Sequence, residues 1–199
     1  MKREGEHVDI VRMIVDYSTS MISSGGISLG FLIVFVGCFI PILPLSVFIA
    51  LTVNAFGLFT GVLVSWASTV LGSYLCYLLF FYLEDKIAKR IIRFRIMRET
   101  KKRISIFQKI SFSNLVLLIT LPFTPAYLIN MVGGLARIPK EKFAISLIIG
   151  KVFSTIFWGY IGKSLLSSLT DATSLIFIFI TLIIAYILSR VIGKKFNIM

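Results

Sequence analysis

From Tyr17 to Leu83 the chain carries no Asp, Glu, Lys or Arg, and near the middle of that run stands the sequence Pro41-Ile42-Leu43-Pro44. One bilayer crossing takes about 20 mostly apolar residues, so the run is too long for one span. The proline pair also prevents it from being one helix. A run this apolar belongs in lipid. There a proline break removes backbone donors that no water replaces, so it is tolerated only where protein or a wet cavity surrounds it. The break is therefore a candidate site. The pattern recurs: Pro41-x-x-Pro44 followed by Asn54-Ala55-Phe56-Gly57 is echoed by Pro122-x-x-Pro125 followed by Asn130-Met131-Val132-Gly133, with Gly134 next. This marks an internal repeat.

The class follows from composition. Of 199 residues, 57% are hydrophobic and 15% charged, and mean hydropathy is +0.95, which leaves a soluble domain no polar surface to show water. The net charge of +12 would suggest nucleic acid in a soluble protein. Here the basic residues cluster between apolar runs, where they orient the chain and meet anionic lipid heads, so no nucleic-acid partner is expected. Cys38 and Cys76 lie in apolar stretches without a neighbouring His or carboxylate, and read as buried free thiols. Residues 1–16 mix acids and bases and show no cleavage site, so no removed leader is expected.

In chain order, residues 1–24 read as an amphipathic interfacial helix, with Val8, Val11, Ile14 and Val15 opposite Asp9, Arg12 and Asp16, ended by Gly25-Gly26. Residues 25–83 form the first repeat. Its arms, Ile27 to Ile40 and Leu45 to Phe59, are each short for a crossing and fit a re-entrant hairpin, and Thr60 to Leu83 is long enough to span. Gly61, Ser65, Ser68 and Gly72 suit close helix packing there. Residues 84–110 carry ten basic residues against three acids up to Lys109, which places the segment in the cytoplasm. Residues 111–163 form the second repeat, a hairpin broken at Pro122 and Pro125 followed by a span from Phe143 to Ile161. A last span covers 174–190, and the basic tail 191–199 is expected on the cytoplasmic side. The charges put the first hairpin on the outer side and the second on the inner, so the two repeats are inverted, the plan of secondary transporters with midplane sites at broken helices. The side of the N-terminus stays open.

The stretch from Ile119 through Leu121-Pro122-Phe123-Thr124-Pro125 to Asn130, Gly133-Gly134 and Arg137-Ile138 resembles the signature of the DedA-like or VTT-domain family, also called the SNARE-associated Golgi protein family, in its bacterial branch. Pro41 through Gly57, then Gly61 and Gly72, resembles the matching first half, and the resemblance runs from about Gly25 to Gly162. It implies opposed re-entrant hairpins and work on membrane lipids, either undecaprenyl phosphate recycling or phospholipid scrambling. The chain departs from the DedA subgroup at three places. Ser46 and Ser73 stand where carboxylates are expected, and Thr120 where an arginine is, which removes the acids on which a proton-coupled mechanism would rest.

Lys151 is the one ionisable residue well inside an expected span. A charge there is costly unless partnered or wet, and marks a functional candidate. With no intramembrane acid to pair it, a carbonyl, water or anionic headgroup must serve, and a phosphate suits an ammonium. A lysine that snorkels or caps a broken helix is the structural alternative. Asn54 and Asn130 occupy corresponding places and can satisfy freed backbone groups or touch a ligand. Ser46 and Thr124, beside the proline pairs, can join helix N-termini in holding a phosphate. His7 is expected to be inert, and Trp66 and Trp158 to pack. No phosphate loop, activated nucleophile or carboxylate pair is present, so neither an enzyme nor a cofactor is expected.

The reading is an all-α polytopic membrane protein of two inverted hairpin-plus-helix repeats. It moves an anionic lipid, a polyprenyl phosphate or a phospholipid, through a groove where the hairpin tips meet. The alternatives are an ion-coupled carrier or channel for a small solute, and a membrane scaffold acting through its basic segment. Substrate, energy source and oligomeric state are open.

Overall fold

The computed structural model describes residues 2–40, 45–91, 107–122, 124–167 and 183, with side chains for 13–40, 45–83, 107–122, 124–162 and 183. Pro41 and Pro44, most of the basic segment 84–110, and the expected span 174–190 apart from residue 183, with its tail, lie outside these residues. Among the described residues seven helices are found and no strand: α1 (Lys2–Ser24), α2 (Gly26–Gly37), α3 (Leu45–Phe56), α4 (Leu58–Ile91), α5 (Phe112–Thr120), α6 (Ala126–Leu135) and α7 (Lys140–Ser167). The all-helical class is as read.

Each break has a local cause. Gly26 takes φ +68 between α1 and α2, which meet at 118°. Gly57 takes φ +80 between α3 and α4, a conformation that glycine adopts without steric cost. Leu121, ahead of Pro122, is extended at ψ 118 and ends α5, because a residue before proline is pushed out of the helical region. Pro125 is then the N-cap of α6 at φ −62. On the other arm, Ser111 caps α5 by accepting the Asn114 N–H at 3.3 Å.

Length separates spans from arms. Leu58–Leu83 of α4 and Lys140–Gly162 of α7 are long and apolar enough to cross a membrane, and the bent α1–α2 pair from Met13 to Gly37 passes the same test if counted as one span. The four short helices α2, α3, α5 and α6 have 12, 12, 9 and 10 residues. At 1.5 Å per residue they reach at most about 18 Å, short of a hydrocarbon core of about 30 Å.

The two long helices are apolar outside and hydroxylic inside. On α4, Leu63, Leu71, Leu75 and Leu79 are exposed while Ser65, Ser68, Thr69 and Ser73 are buried. On α7, Ile145, Ile149, Val152 and Ile156 are exposed while Ser146, Lys151, Ser154 and Thr155 are buried. This is the pattern of helices that face lipid outward and pack through small residues inward. Most of the hydroxyls bond within their own helix, as Ser68 Oγ does to the Val64 carbonyl at 2.6 Å and Ser146 Oγ to that of Lys142 at 2.7 Å.

The packing is exchanged between the repeats. Arm α3 of the first lies on α7 of the second as well as on α4, and arm α6 of the second lies on α4 of the first. A Cβ at Gly162 would stand 2.2 Å from Ala50 Cβ, and one at Gly134 2.5 Å from the Tyr77 carbonyl oxygen, so backbones meet at both exchanged contacts. One core gathers Tyr77, Leu115, Leu118, Phe143 and Leu147; a smaller one holds Val34, Ile49 and Val53.

Candidate functional site

Between the two breaks lies a cavity of about 360 Å³. The first break reaches it through Gly37, Cys38, Leu45 and Ser46, and the second through Leu121, Pro122, Thr124 and Pro125. Thr69 of α4 and Lys151, Ser154, Thr155 and Trp158 of α7 complete the polar wall, and no carboxylate is among the described lining residues. The shortness of α2, α3, α5 and α6 explains its position, since four helices that stop short of a crossing leave space where they end.

Lys151 is 6% exposed and lines the cavity together with Cys38. Its carbonyl accepts the Thr155 hydroxyl at 2.6 Å and the Ser154 hydroxyl at 3.3 Å. Asn130 is 1% exposed and its Nδ2 has no hydrogen-bond partner; the Cys76 thiol lies beside the amide without completing a bond to that nitrogen. Ser73 Oγ is also buried and unpartnered. A buried donor without a partner costs about 1–3 kcal/mol, so the site is arranged for something more than its own packing.

The N-terminus of α6 opens on the same space. The first intrahelical bonds run from the Leu128 and Ile129 N–H groups to the Pro125 carbonyl. The Ala126 and Tyr127 N–H groups precede them and belong to cavity residues. Helix α3 likewise begins at Leu45 and Ser46 on the wall. Free N–H groups and the positive end of a helix favour an anion, and Lys151 lines the same cavity.

Of the candidates read from sequence, Ser46, Thr124, Asn130 and Lys151 come together here, with Pro122 and Pro125. Asn54 does not. It is exposed on α3, and its Nδ2 donates to Thr19 Oγ1 of α1 at 3.1 Å. The repeat puts Asn54 level with Asn130 in sequence, but α1 packs on α3 and takes up the Asn54 amide. Gly57 makes the α3–α4 turn, Gly133 admits the Phe143 ring, and Gly134 admits the α4 backbone. Trp158 was expected only to pack; its indole Nε1 donates to the Pro122 carbonyl at 3.3 Å and it lines the cavity. Cys38 was read only as a buried free thiol, and Thr69, Ser154 and Thr155 were not singled out. The signal for these three was a hydroxyl face at helical spacing on α4 and α7. No group of three or more His, Cys, Asp or Glu able to hold a metal occurs among the described residues.

Residues 43–164 match the family model described as the VTT domain. The uncharacterized membrane protein YhjE of Bacillus subtilis (strain 168) is 30% identical over 134 residues. That match covers 67% of this chain and 63% of the relative, so the chain spans a little under two thirds of the curated protein it matches. No solved structure matches. The family match runs from within the first break through the second and takes in α3, most of α7 and everything between them, and the chain belongs to the VTT-domain, or DedA, family of membrane proteins.

Proposed function

We propose that the protein moves an anionic lipid between leaflets, holding its phosphate headgroup in the cavity while the acyl or prenyl tail stays in lipid. The observation that carries this is Lys151, buried with no carboxylate on the described wall and lining the same cavity as the α6 N-terminus. A cation at that depth needs a counter-charge, and a phosphate supplies one with acceptors for the Asn130 amide and the Ala126 and Tyr127 N–H groups. Ser46 and Thr124 add hydroxyls at the two breaks.

The exchanged packing of α3 on α7 and α6 on α4 supports the inverted relation of the two repeats. The basic segment 84–110 supports a cytoplasmic placement for the second hairpin's ends, with the C-terminus on the same side and the protein in the cell membrane. In this arrangement the cavity opens to either side in turn and needs no covalent chemistry, so the protein acts as a carrier and not as an enzyme, with membrane lipids as its partners. A second reading, a carrier for a small solute, is favoured by the cavity's size, about 360 Å³, which holds a headgroup and no tail.

The test is transfer between leaflets in liposomes containing the purified protein, with labelled phospholipid and a labelled polyprenyl phosphate in parallel. Movement of either above protein-free liposomes is expected. Movement of neither, with uptake of a small anion, would replace the lipid reading by the solute reading.

A further inference from the structure

The apolar stretch of α4 ends at Leu83 and that of α7 begins at Lys140. The two ends meet, because Lys140 Nζ donates to Tyr82 OH at 2.5 Å. Residues 81–83 and 137–142 therefore stand at one membrane boundary, at the level of lipid headgroups. The Lys142 ammonium donates to the Ile110 carbonyl, so the basic segment 84–110 leaves and returns at this same boundary. That segment holds ten basic residues against Glu84, Asp85 and Glu99, and residues 137–142 add Arg137, Lys140 and Lys142 against Glu141.

Two of these cations share one ring. Arg137 Cζ lies 5.9 Å and Lys140 Nζ 5.0 Å from the centre of Phe81. Lys140 Nζ is also 4.6 Å from the centre of the Tyr82 ring, which is exposed. Like charges brought to one ring repel each other, and an anion beside both removes that repulsion. Tyr82 OH, having accepted from Lys140, keeps its own hydrogen to donate.

Arg137 is also placed against the preference of its backbone. Helix α6 ends in a Schellman turn, with Arg137 N–H on the Gly134 carbonyl at 2.9 Å and Ile138 N–H on that of Gly133 at 3.2 Å. Arg137 sits there at φ 50, the one non-glycine residue of positive φ among the described residues. That position of the turn is usually a glycine, which takes it without steric cost. The turn itself does not call for an arginine.

We propose that Arg137, Lys140 and Tyr82 form a headgroup site for an anionic phospholipid of the adjoining leaflet, apart from the cavity and independent of what the cavity carries. None of the three lines the cavity. The phosphate takes hydrogen bonds from the guanidinium, the ammonium and the phenol, and the two rings lie at the depth where headgroup meets acyl chain. The occupant is a lipid because the site stands at the ends of two spans, where a leaflet's anionic lipids meet juxtamembrane cations. The bound lipid ties α4 to the α6–α7 turn.

The test is thermal unfolding of the full chain in a non-ionic detergent, with phosphatidylglycerol or phosphatidylcholine added at the same mole ratio. Phosphatidylglycerol is expected to raise the unfolding temperature several degrees more than phosphatidylcholine, since a ligand of the folded state alone stabilises it. Without lipid, Arg137→Gly is expected to unfold at no lower a temperature than the wild type, and with lipid to lose at least half of that difference. Lys140→Met, read against its own lipid-free value, is expected to lose as much. Lys151→Met, which removes the ammonium of the cavity, is expected to keep the difference whole. Two lipids that act alike on the wild type overturn the site. So does a difference that survives in both Arg137→Gly and Lys140→Met, which assigns it to the basic segment, or one that Lys151→Met abolishes, which assigns it to the cavity. An Arg137→Gly protein that unfolds well below the wild type before lipid is added makes Arg137 a packing residue of the turn and overturns its role as a ligand.

Discussion

The Trp158 indole of α7 donates to the carbonyl of Pro122 at 3.3 Å, so the second proline break is tied to the helix that carries Lys151, about two turns away. The bond satisfies a carbonyl freed by the break, three residues before the N-cap of α6. Trp158→Phe keeps the ring and removes the donor. Expected are a loss of about 1 kcal/mol in stability and a fall in lipid transfer of about fivefold, the factor such an energy represents. Thermal unfolding in detergent and transfer in liposomes, measured on one preparation, check both; unchanged transfer would leave Trp158 a packing residue.

The two asparagines are expected to part company. Asn130→Ala removes a buried donor facing the cavity, and a hydrogen bond to a charged group is worth about 1.5–3 kcal/mol, so transfer falls by tenfold or more. Asn54→Ala removes one exposed bond to Thr19, a change worth about 0.5 kcal/mol or less, and leaves transfer near wild type. Rates for the two variants at equal protein level decide this.

How much of this was legible in the sequence differs by feature. The breaks were, because proline acts locally. Lys151 was, because one charge in an apolar stretch stands out in any register. Asn54 was misplaced because a repeat in sequence does not show what packs against it, and α1 lies outside the repeat. Trp158 was out of reach for a related reason: its role is set by which carbonyl the fold brings within 3.3 Å. The serines of α4 were read as packing residues, and Ser68 does pack; Ser65 and Ser73 also bury unpartnered hydroxyls.

The seam between α4 and the second repeat is expected to govern stability alone. Tyr77 OH donates to the Ile138 carbonyl at 2.6 Å, and its ring stacks on Phe143 at 4.1 Å between centroids. Neither residue lines the cavity. Tyr77→Phe leaves a buried carbonyl unpaired, at about 1–3 kcal/mol. Gly134→Ala presses a Cβ to 2.5 Å from the Tyr77 carbonyl oxygen, and overpacking of this kind costs about 1–3 kcal/mol. Both variants should unfold at lower temperature and, while folded, move lipid at the wild-type rate. A Tyr77→Phe protein of full stability and low transfer would assign the seam a part in transport.

The central claim is that a buried ammonium binds a phosphate. Lys151→Met keeps the length and apolarity of the side chain and removes the charge, and a methionine at a site that is 6% exposed is expected to fold. Transfer of labelled polyprenyl phosphate and phospholipid by this variant, in liposomes at matched protein level, is the most direct measurement. The account predicts a fall to the rate of protein-free liposomes for whichever lipid the wild-type protein moves. Undiminished transfer of that lipid would contradict it.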